Sequence, residues 1–65
     1  MRSFVATVEF NDESRLWRAD VPNVPGASAT ARTLNELSVR ILEATAFALD
    51  VAESEIRVTF GKTRR

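Results

Sequence analysis

The sequence predicts a small α+β fold: an antiparallel sheet of three to four strands with one helix packed on one face, in the order β-β-β-α-β. Three observations predict it. Residues 3–10 and 15–21 alternate apolar with polar, the period of half-buried strands, and a cluster of turn formers separates them. Residues 34–49 repeat apolar side chains at helical spacing behind a threonine suited to a cap. Residues 55–61 alternate again. Strands and one helix in this proportion form two layers around a single core.

In the first strand Phe4, Ala6, Val8 and Phe10 share one face, and Val5, Thr7 and Glu9 the other. Branched and aromatic side chains suit such a pleated surface. Asn11-Asp12-Glu13-Ser14 reads as a four-residue hairpin loop. The second strand, 15–21, puts Trp17, Ala19 and Val21 on one side and Arg18 and Asp20 on the other. It runs into a corner, Pro22-Asn23-Val24-Pro25-Gly26. Pro22 and Pro25 lack an N–H and fix φ, while Gly26 is free to take the positive φ that a turn after proline often needs. Residues 27–31, Ala-Ser-Ala-Thr-Ala, are small and weakly patterned, consistent with a short third strand or an extended crossing segment.

Thr33-Leu34-Asn35-Glu36 fits the capping box, in which a threonine hydroxyl and a glutamate carboxylate satisfy free N–H groups at a helix start. Leu34, Leu37, Ile41, Ala44, Thr45 and Ala48 then form a stripe for the sheet, and the pattern ends near Leu49 or Asp50. A second apolar row, Val39, Leu42, Ala46 and Leu49, lies beside it. The two together widen the apolar arc to about 220°, more than one sheet face needs. That row is therefore expected to meet a partner, a second copy in a dimer or another protein; the alternative is a helix flanked by the C-terminal residues or merely rich in good helix formers. Phe47 stands apart among Glu36, Arg40 and Glu43 on the polar face, an exposed aromatic that hints at contact. Trp17, sharing its face with Ala19 and Val21, is expected in the core. The closing strand carries Ile56, Val58 and Phe60 on one face.

Sixty-five residues make one domain, 1–61, with 62–65 as a basic tail. A chain of this length buries only about 60% of its unfolded surface, so outside support is expected. With no Cys and no His, disulfides and the usual metal ligands are not available, which leaves self-association. The net charge of zero hides a division: nine carboxylates against six arginines leave residues 1–61 at about −3, and the three positive charges of Lys62-Thr63-Arg64-Arg65 balance them. An acidic body is a poor phosphate-binding surface. No apolar run approaches the ~20 residues of a membrane span, and the start is not a signal peptide. A cytoplasmic, non-membrane protein is expected.

The run from Val8 to Leu49 resembles the HicB-like antitoxin family. The resemblance rests on W-x-A-x-V-P-x-x-P-G at Trp17 to Gly26, T-L-x-E at Thr33 to Glu36 and I-x-E-A at Ile41 to Ala44. The chain has Ala27 where the family often has Cys, and Ala31 and Arg32 where a Gly commonly precedes the cap. The resemblance, closest to short single-domain members, implies a fold like a truncated ribonuclease H without its catalysis. It also implies a partner, a small HicA-type toxin that cleaves messenger RNA and that this module would grip and silence. Longer members carry a separate DNA-binding domain, and with only residues 62–65 after Gly61 none is expected here.

An enzyme is not expected. Without His or Cys the commonest general base and the thiol nucleophile are both missing. Glu9, Asp12 and Asp20 are the carboxylates to consider for a metal, and they read as surface acids in and around a hairpin. No cofactor, metal site or catalytic residue is expected. The alternative to an antitoxin is an orphan, stand-alone oligomer-forming domain of the same fold.

Overall fold

The computed structural model describes residues 2–64. Its elements are β1 (Arg2–Asn11), β2 (Leu16–Asp20), β3 (Ser28–Ala31), α1 (Leu34–Leu49), a 3₁₀ turn (Glu53–Glu55) and β4 (Ile56–Arg64). The fold is a small α+β layer: one four-stranded sheet in the order β3-β2-β1-β4, with α1 on one face.

The sheet is mixed, not antiparallel throughout. β1 pairs antiparallel with β2, and β2 with β3, but β4 lies parallel to β1 with Phe4 opposite Val58 and Ala6 opposite Phe60. The reason is one of direction. Each connection reverses the chain, and because the helix takes one of the reversals, β4 re-enters in the direction of β1. A parallel pair needs a crossover of this kind, since a tight hairpin cannot make one. β4 also runs past Gly61 to Arg64, so the backbone of 62–64 is strand; Arg65 lies outside the described residues. The register slips between Ala6/Phe60 and Val8/Thr63, a bulge at Gly61. There a Cβ would overlap the Cγ1 of Val5.

The hairpin loop holds four residues, as expected, but is displaced by one, because Asn11 still pairs with Leu16. Asn11 Oδ1 accepts from the N–H groups of Glu13 (2.9 Å) and Ser14 (3.1 Å), and Arg15 turns the chain at φ 62°. Past the loop, the Phe10 and Trp17 rings face each other at 4.9 Å, tilted by 56°. Trp17 is half-buried and packs on the edge of the core.

The corner consists of two consecutive turns. Val24 N–H donates to Val21 O (3.0 Å) and Ala27 N–H to Val24 O (3.1 Å), while Val21 N–H reaches Ala27 O (3.0 Å) to close the unit. Pro25 and Gly26 fill the centre of the second turn, and the Gly26 φ of 88° is the positive value a type II turn requires. Every third residue, Val21, Val24 and Ala27, points into the core, and Pro22, Asn23, Pro25 and Gly26 stand outside.

α1 starts as its sequence indicates. Glu36 N–H donates to Thr33 Oγ1 (3.1 Å), but the Glu36 carboxylate bonds the N–H of Arg32 (3.4 Å), one residue before that of Thr33 itself. At the other end Asp50 is left-handed (φ 58°); its N–H donates to Phe47 O (3.2 Å) and that of Val51 to Ala46 O (3.0 Å), a Schellman termination. The buried face is Leu37, Ile41, Thr45 and Ala46. The Thr45 hydroxyl is satisfied by donating to Ile41 O (2.7 Å). Leu34 and Ala48, expected in the stripe, are exposed. Beneath the helix the sheet supplies small side chains, Ala6, Val8, Ala19 and Ala31, which let Leu37 and Ile41 sink until neither retains any exposed surface.

Gly26→Val is expected to lower stability by about 1–3 kcal/mol through backbone strain alone, since a Cβ at Gly26 meets nothing within 4 Å. Gly26→Asn should cost less, because Asn tolerates positive φ. Equal melting temperatures for all three proteins would show that this φ is not positive. Thr33→Ala should cost about 1 kcal/mol by removing the cap to Glu36, and a chemical-denaturation midpoint that does not move would contradict that role.

Candidate protein-binding surface

The side chains that chemistry would need are dispersed. Glu9 and Asp12 are exposed on β1 and in the hairpin loop, and Asp20 sits beside Arg18 at 3.5 Å on the open face of the sheet. Among the described residues no three carboxylates gather in a way that would hold a metal. Among the described residues no helix is long and apolar enough to cross a membrane. What is built instead is surface, and it has two unlike halves.

On the sheet face opposite α1 the strands alternate as their sequences dictate. Ser3, Thr7 and Glu9 of β1, Arg18 of β2, Thr30 of β3 and Arg57 and Thr59 of β4 are all exposed, with Val5 as an apolar island. A parallel pair such as β1/β4 is usually covered on both faces. Here polar residues make the uncovered face compatible with water.

The apolar half runs along the flank of α1 beside β4. The row Val39, Leu42, Ala46, Leu49, expected to stand wholly outside the core, divides in two. Ala46 is buried within the chain and Leu49 packs on the core. The chain leaving the helix returns along this side, with Val51 bonded to Ala46 O, and covers that half. Val39 (57% exposed) and the half-buried Leu42 remain outside it. They line a shallow groove together with Ile56 and Val58 of β4, and Ser38, Glu53, Ser54 and Arg57 complete its lining. Phe47 is 89% exposed and stands apart from this groove. Pro22, Pro25 and Gly26 shape the corner and are exposed there.

The two edges of the sheet differ as much as its faces. β3 has four residues, and Arg40 Nη1 donates to the carbonyl of Thr30 (3.3 Å), so a cation from the helix blunts that edge. β4 has nine residues and, among the described residues, no strand on its outer side. Sequence reasoning found Val39 and Leu42 through their helical spacing. It missed the β4 edge beside them, because an edge is a property of sheet order and not of periodicity. Compared with protein-family models, with curated proteins and with solved structures, the chain has no significant match.

Proposed function

We propose that this chain is a non-catalytic protein-binding module resembling a HicB-type antitoxin, which binds and neutralises a small HicA-type toxin that cleaves messenger RNA. The observation that carries the reading is the run W-x-A-x-V-P-x-x-P-G at residues 17–26, followed by T-L-x-E at 33–36. Their physical roles support treating them as one signature. The first supplies the double turn in which Val21, Val24 and Ala27 enter the core, and the second the cap that starts α1. The proposal that the β-β-β-α-β order is a truncated ribonuclease H fold rests on the same resemblance.

A binding role is supported by an exposed groove with an apolar wall, Val39 and Leu42, next to an unpaired strand edge. A non-catalytic role is supported by a sequence without His or Cys, in which a base or a thiolate would have to be replaced by carboxylates standing apart on a loop and two strands. A toxin acting on messenger RNA sets the place of action in the cytoplasm. The second reading, an orphan domain that only self-associates, is favoured by the length of the free β4 edge.

Co-expression with the product of the neighbouring reading frame separates the two. Growth arrest by the neighbour, relieved by this chain, together with co-purification of the pair, is the expected result. Persistent arrest, or no complex, would rule out neutralisation.

A further inference from the structure

We infer that β4 is a pairing edge for a second copy of this chain, the two β4 strands running antiparallel about a two-fold axis at Val58. The sheet itself narrows the choice. Of its two edges, β3 is short and held by Arg40, whereas β4 presents unpaired backbone over a length that a strand can use. Edges are commonly protected by cations and bulges; the bulge of β4 lies at one end, and the cation within its regular segment, Arg57, stands on the open face of the sheet. The bulge at Gly61 and the basic residues Lys62 and Arg64 lie beyond the regular segment Ile56–Phe60, of which Val58 is the centre.

The segment matches itself when turned about that centre. On the helix side Val58 meets Val58 of the second copy and Ile56 meets Phe60, so every cross-strand neighbour is apolar; Val58 and Phe60 are only half-buried in a single chain. On the open face Arg57 falls opposite Thr59, and no like charges oppose each other. Shifting the axis by one residue to Thr59 would instead set Ile56 against Lys62. The ends are complementary in charge as well. Beyond Phe60 the basic segment 62–64 of one strand runs past the 3₁₀ turn of the other copy, which bears Glu53 and Glu55, both exposed. Next to the paired strands, Val39 and Leu42 of each copy come to line the same seam, and their exposure in the single chain is accounted for. An isologous pair of this kind is closed, so it stops at two copies. It extends one sheet to eight strands with both helices on the same side.

The test uses Thr59, which is exposed and lies opposite Arg57 of the second copy twice per dimer. The purified chain should show a mass that rises with concentration to twice that of one chain by light scattering. Thr59→Arg should raise the dissociation constant by about fivefold, through two like-charge oppositions, and Thr59→Glu should lower it by about as much. Val39→Glu, on the flank of α1 that faces the same seam, should weaken the dimer while leaving the β4 sequence unchanged. A protein that stays monomeric would overturn the inference, and so would a dimer indifferent to all three variants, whose interface must lie elsewhere. Pairing of two copies needs no toxin, so a monomer would leave the antitoxin reading standing, and failed neutralisation would leave the dimer standing.

Discussion

The pairing on which the rest of this structure depends is β4 lying parallel to β1. An antiparallel neighbour can be reached by a short turn, but a parallel one requires the chain to cross the sheet, and here α1 makes that crossing. One crossover puts one helix on one face. The small side chains of Ala6, Val8, Ala19 and Ala31 then let Leu37 and Ile41 pack with no exposed surface. A domain of this size holds only about 3–10 kcal/mol of stability, and the loss of either large side chain costs about 2–5 kcal/mol, so these two residues carry much of the fold.

The same pairing decides where the molecule can meet others. Because β4 joins the sheet on the outer side of β1, it becomes an edge. Because it returns beside the helix, that edge adjoins the part of α1 that the sheet does not cover. The groove between Val39, Leu42 and Val58 is thus not an added feature but what remains when one helix covers four strands. The opposite face needs no cover, since Ser3, Thr7, Arg18 and Thr59 alternate with the core residues.

Features set by near neighbours in the chain were legible in the sequence. The positive φ of Gly26 follows from proline before it, the Thr33 cap from Glu36 three residues on, and the faces of β1 and β2 from their period of two. Features set by distant neighbours were not. The parallel sense of β4 depends on the order of strands in space, which alternation alone leaves open. Val24 lies between two prolines in what reads as a loop, and only the double turn reveals that it points inward. Ala46 belongs to the second apolar row by spacing, yet the return of the chain after Asp50 buries it. Of the surface, Val39 and Leu42 were found by counting along the helix, while their companion Val58 looked like an ordinary core position on a closing strand.

Residue-resolved amide exchange along β4, followed at two protein concentrations, tests most directly whether β4 is both the partner of β1 and a shared edge. Over Ile56–Phe60 the amides facing β1 should exchange slowly at both concentrations. The alternate amides, facing outward, should exchange freely in dilute solution and slow down when the protein is concentrated. Outward amides that stay fast at high concentration would contradict the shared edge, and fast exchange of the inward set would contradict the pairing with β1 itself.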